Sequence, residues 1–176
     1  MRRALARVAA GWALCGGALL LAVMVVTTLN ALGFAGDRVA RLVGMSLPGL
    51  PGYEDFVRLC VAMAALMFLP FCQSERGHIA VDLFATGMTS TVRGALDRFW
   101  LIATALLALF LAYWMTAGLI ESRSDGAVTP VLGWPVWRSF APGIASLLLW
   151  AAVAIVQLGD DAASIRAVSA DGGGDV

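Results

Sequence analysis

Two pairs of polar side chains in this sequence stand one helical turn apart and could do chemistry. The first is His78 and Asp82. On a helix, residues i and i+4 share a face, so the imidazole and the carboxylate could hydrogen bond as a base and its orienting acid. A catalytic pair of that kind also needs a nucleophile or a bound substrate beside it. His78 is the only histidine, and the chain carries no Walker A sequence, no GxGxxG after a strand, no HExxH and no GxSxG. An electron carrier with a transmembrane haem would need histidines on facing helices, which a single His78 does not supply. The reading that remains is structural: His78 and Asp82 anchor and cap a turn.

The second pair is Glu54 and Arg58, in the order that favours an ion pair on a helix. An acid inside a membrane span is by default a candidate for an ion or proton path. These residues fall in the first turns of a span, however, where long side chains reach the headgroups. They are therefore expected to pair locally or to contact a partner subunit. Asp55 beside them complements the helix dipole. Cys15, Cys60 and Cys72 all lie in apolar runs without a CxxC or Cys/His cluster, so they read as free buried thiols acting as small hydrophobes. No enzyme, metal or cofactor is expected from this inventory.

The elements that must position these residues are set by composition. Hydrophobic residues make up 60% of the 176, charged residues 14%, and mean hydropathy is +0.84. Soluble domains carry about 25% charged residues. A water-soluble fold of this size could not hide so much apolar side chain, so the chain is read as an integral membrane protein. Its twelve basic residues are all arginine and are balanced by twelve acids. Net charge thus carries no signal for nucleic acid.

Four stretches lack any charge: 8–36, 59–74, 99–120 and 139–159. A bilayer core needs about 20 apolar residues in a helix. The predicted spans are 10–32, 53–73, 99–121 and 139–159, the second extended back to Tyr53 to reach an adequate length. The first apolar run is too long for a signal-peptide core of about 7–15 residues, and it is read as a retained helix. The fold class is all-α, one four-helix membrane domain over 1–160, with a polar, glycine-rich tail over 161–176 expected to be disordered.

Arginines near the helix ends set the orientation. Seven lie on the side of the N-terminus and five on the other, with Arg2, Arg3 and Arg7 the clearest cluster. Both termini are accordingly expected in the cytoplasm. Trp12 and Trp100 on one side, and Trp134 and Trp137 on the other, are expected to form interfacial belts, with Trp114 and Trp150 deeper. Between the second and third spans, Phe84, Met88, Val92 and Leu96 recur every fourth residue, which predicts an amphipathic interfacial helix within 78–98. Gly11, Gly16, Gly17, Ala62, Ala64 and Ala65 offer small-residue surfaces for close helix packing.

Three features together carry a resemblance. The layout has four spans with both ends inside. After the second span comes Arg76-Gly77-His78-Ile79, then Val81-Asp82-Leu83. Before the fourth comes Thr129-Pro130-Val131-Leu132-Gly133-Trp134-Pro135-Val136-Trp137, then Pro142. In this order and at these positions the chain resembles the small membrane subunit, or small permease, of the tripartite ATP-independent periplasmic (TRAP) transporters over about residues 10–160. Ser74-Glu75 departs from it, standing where a more basic run is often found before the histidine.

The resemblance implies a role. Such a subunit scaffolds a large permease subunit that carries the substrate and sodium sites. A periplasmic binding protein delivers the substrate, typically an organic acid, and the sodium gradient drives uptake. The location implied is the bacterial inner membrane. On this reading His78 and Asp82 fix the inner turn, with Arg76 and Gly77 beside them as further structural or subunit-contact candidates, Trp137 and Pro142 fix the outer entry to the fourth helix, and Glu54 and Arg58 pair locally or with the large subunit. A rival reading is a stand-alone proton-coupled exporter using Glu54.

Overall fold

A computed structural model of the chain describes residues 2–42, 44, 49–75 and 90–171; of residues 90, 91, 93 and 161–171 it describes the backbone alone. Four helices account for nearly all of it: α1 (Arg2–Arg41), α2 (Tyr53–Ser74), α3 (Ser90–Ser124) and α4 (Trp137–Asp171). Each contains a stretch long and apolar enough to cross a membrane. Helices are the expected solution, because in hydrocarbon every backbone N–H and C=O must be satisfied within its own segment.

All four predicted spans are present, and three of the helices run well past them. α1 has 40 residues, about 60 Å at 1.5 Å per residue, so it exceeds a hydrocarbon core of about 30 Å. Its far end stays helical through charge because Asp37 and Arg41 pair one turn apart, at 2.7 Å. The chain then turns at Gly44, whose φ is +76°. The connection to the second helix therefore begins only after Arg41, well beyond the predicted span end at 32. α2 starts from Gly52, whose φ of +79° is a left-handed conformation suited to glycine. α3 begins at Ser90, so Val92 and Leu96 lie in its first turns instead of in a separate interfacial helix. Phe84 and Met88 lie outside the described residues, and among the described residues no such helix is present. The α4 backbone continues helical to Asp171, into the range set aside as a tail.

α4 is the centre of the bundle. It packs against α3 on one side and α2 on the other, while α1 packs mainly on α2 and touches α4 lightly. The core is built from Ala108 and Ala112 of α3 and Leu147, Trp150 and Ala151 of α4, flanked by Leu66, Leu69 and Met115. Small residues let the helices approach. A Cβ on Gly143 would stand 2.5 Å from Met115 Cε and 2.9 Å from Leu66 Cδ1, so any side chain where α4 crosses α2 and α3 would have to displace the ends of both. Of the small-residue surface read from sequence, Gly16 and Ala64 meet between α1 and α2, whereas Gly11 and Gly17 face open space.

Arg2 lies 3.9 Å from Asp160, so the start of α1 and the end of the α4 span share one end of the bundle, here the termini end. The far end holds Arg41, Tyr53, Ser124 and Trp137.

Candidate functional site

At the far end, the loop between α3 and α4 is clamped onto the start of α2. Residues 127–136 double back on themselves. Val136 N–H donates to Ala127 O at 3.0 Å, Thr129 N–H to Trp134 O at 2.9 Å, and Gly133 N–H to Thr129 O at 3.1 Å. The Thr129 hydroxyl accepts Trp134 N–H at 3.0 Å, and Val128 and Pro135 form an isolated antiparallel bridge. One α2 side chain then fixes this loop: Asp55 Oδ2 accepts Val131 N–H at 2.9 Å and Leu132 N–H at 3.1 Å. Both bonds are charge-assisted, the stronger kind. Phe56 meets Trp134 edge-on at 6.3 Å, and Leu132 covers Gly52 so closely that a Cβ there would lie 2.8 Å from it.

Next to this clasp, Trp137 opens α4. The guanidinium groups of Arg123 and Arg138 lie 5.4 Å and 5.6 Å from its ring centroid. One turn on, Pro142 sits inside α4 and leaves the Arg138 carbonyl without its usual helical donor. The Pro142 carbonyl accepts the Ser146 hydroxyl at 2.7 Å, and that oxygen accepts Trp12 Nε1–H from α1 at 2.8 Å. Trp12 is thus a packing residue and not part of a belt. Arg2 is level with the end of the α4 span, and ten residues at 1.5 Å each place Trp12 about 15 Å deeper.

Toward the termini end, a different device joins α2 to α4. Gln73 Nε2 donates to Gln157 Oε1 at 2.8 Å, and Gln157 Nε2 donates to the Gln73 backbone carbonyl at 2.8 Å. Trp150 Nε1 reaches Gln73 Oε1 at 3.4 Å. Both glutamines are buried. Pro70, fully buried one turn earlier, cannot donate to the Leu66 carbonyl, so α2 has a weakened helical ladder just where the amides brace it.

The residues read from sequence fall unevenly across these sites. Trp137 and Pro142 stand together at the start of α4, as just described. Glu54 is exposed and accepts Tyr53 Oη–H at 3.3 Å, while Arg58 is exposed one turn on. The ion pairs among the described residues are Arg2–Asp160 and Asp37–Arg41, so Glu54 and Arg58 are not brought together. Arg76, Gly77, His78 and Asp82 lie outside the described residues. Sequence reasoning missed three roles: Asp55 as the loop clamp, the Gln73–Gln157 pair, and the Trp12–Ser146 tie. An isolated amide at the end of an apolar run was the one available signal, at Gln73 and Gln157 alike. Of the two tryptophans read as deep packing residues, Trp150 is buried in the core and Trp114 is exposed, and of the three cysteines read as buried only Cys60 is.

These sites hold helices and a loop. Among the described residues no three His, Cys, Asp or Glu side chains gather in a way that could hold a metal ion. The class defined is a multi-pass helical membrane protein whose polar groups serve helix contacts.

The comparison with known families gives the particular assignment. The family described as "Tripartite ATP-independent periplasmic transporters, DctQ component" matches residues 37–164, well over half of the chain. The chain belongs to that family: it is the small membrane component of a TRAP transporter and not an enzyme. The match includes the 76–83 and 129–142 segments but starts near the end of α1, leaving most of that helix outside it. No curated protein and no solved structure matches the chain.

Proposed function

We propose that this chain scaffolds the large permease subunit of its transporter, and that the assembly takes up an organic acid, delivered by a periplasmic binding protein and driven by sodium. The observation that carries this reading is how the polar side chains within the spans are used. Gln73 and Gln157 bond to each other, Ser146 to Trp12 and Pro142, and Thr27 and Thr116 to carbonyls of their own helices. Ser122 Oγ is the one buried side-chain oxygen or nitrogen among the described residues without a partner. A bundle whose polar groups satisfy one another is suited to packing, and less so to binding and releasing an ion.

The outward faces support the same reading. α1 presents Leu14, Leu21, Met24 and Leu32, and α3 presents Phe99, Leu106, Tyr113 and Ile120, all exposed. These faces suit lipid and a second membrane subunit. The chain would sit in the bacterial inner membrane with both termini cytoplasmic, the termini end being the side of Arg2, Arg3 and Arg7. His78 and Asp82 would fix the turn after α2 on that side.

Co-purification tests the reading. The tagged chain is expressed with the large permease subunit and extracted in mild detergent. A stable complex is expected, and Asp82→Ala should lower its recovery more than it changes the apparent substrate affinity. Normal recovery with an altered transport KM would contradict the scaffold role. The stand-alone exporter makes the opposite prediction: transport by this chain alone, abolished in Glu54→Gln.

A further inference from the structure

Arg123 and Arg138 come from different helices and converge on one indole, Trp137. Two cations this close to one ring repel each other unless an anion joins them. Among the described residues neither makes an ion pair, although Glu121 and Asp125 flank Arg123 in sequence. Asp125 instead accepts the Ser124 hydroxyl, at 3.4 Å. The start of α4 adds to the positive field, because its first turn holds no acid and the helix dipole is positive there. Arg138 is thus placed where a helix disfavours a cation, and only Arg123, in the last turn of α3, sits at a favourable helix end.

The position selects the anion. The α3 and α4 spans end at Ser124 and begin at Trp137, which puts the two arginines at headgroup depth. Directly below Arg123 on α3 lie Ile120, one turn away, and Tyr113, two turns further, both more than 60% exposed. Guanidinium groups match the planar, multi-acceptor geometry of phosphate. We propose that Arg123 and Arg138, held on Trp137, bind the phosphate of an anionic phospholipid whose acyl chain lies along the exposed face of α3.

Native mass spectrometry of the full chain, loaded with phosphatidylglycerol or phosphatidylcholine, tests this. The wild type should retain phosphatidylglycerol in preference. Removing each guanidinium should lower that affinity about tenfold, so Arg123→Ala/Arg138→Ala should lose most of it. Arg3→Ala/Arg7→Ala, at the termini end, should retain it. Excess inorganic phosphate should not displace the lipid. Unchanged binding by the Arg123/Arg138 pair, or an equal loss in the Arg3/Arg7 pair, would overturn the site. Displacement by inorganic phosphate would show a free-anion site and overturn the lipid assignment. Should the double variant fail to fold, Arg123→Gln alone should show the tenfold loss, and wild-type affinity there would overturn the proposal.

Discussion

The two ends of the bundle solve one problem with different chemistry. Both must fix α2 against α4 or the loop that leads into it. At the far end the fastener is a carboxylate, Asp55, which accepts two backbone N–H groups at the edge of the spans. Toward the termini end it is a pair of neutral amides, Gln73 and Gln157, closed in a buried reciprocal bond. The difference follows from solvation. An ion at the rim keeps part of its water and gains from aligned N–H donors, whereas an ion inside the bundle would lose its hydration without full return. A neutral amide carries both a donor and an acceptor, so two of them can satisfy each other in the dark interior.

Putting charge where the amides are should break this comparison most severely. Gln157→Glu is expected to cost up to about 3 kcal/mol, the scale for an ionised side chain within a span, and to lower the melting temperature in detergent. Gln157→Leu should cost about 2 kcal/mol, because it leaves the buried Gln73 Nε2 without the acceptor it has in Gln157. Adding Gln73→Leu should recover part of that loss, since removing both partners of a buried bond is nearly neutral, while the Trp150 contact to Gln73 Oε1 is given up. A double variant less stable than the single would contradict the pairing.

Smaller effects sharpen the contrast. Asp55→Ala should act locally: the Val131 and Leu132 amides should exchange hydrogen markedly faster, with little change in the core around Trp150. Exchange rates at the two amides that match wild type would show that the loop holds its own shape without α2. The smallest expected change is Ser146→Ala. It removes the acceptor for Trp12, a bond between membrane helices worth about 0.6 kcal/mol, and should blue-shift or broaden indole fluorescence more than it shifts stability.

The four spans were legible because each rests on a long charge-free run, a signal carried by local composition. Helix ends were less so. Asp37 and Arg41 cancel each other one turn apart, so α1 continues through residues that look like a loop. Residues 78–98 looked like an amphipathic surface helix because apolar residues repeat every fourth position, yet from Ser90 onward the same repeat serves as the first turns of α3. The clasp could not be read at all, and the amide pair showed only as one isolated amide at the end of each apolar run, with nothing to join the two. Asp55 meets residues 76 and 77 positions away, and Gln73 meets one 84 positions away, so no periodicity encodes either contact. Trp137 and Pro142 were singled out through the resemblance to the TRAP small subunit, and the structure adds the neighbours that it did not name: Arg123, Arg138 and Ser146.

Reconstitution separates a scaffold subunit from a transporter in its own right. Proteoliposomes are prepared with the large permease subunit alone, with this chain alone, and with both, each given the periplasmic binding protein and an inward sodium gradient. The account predicts substrate uptake only when both membrane subunits are present. Uptake by this chain alone, or full uptake by the large subunit without it, would contradict the scaffold role.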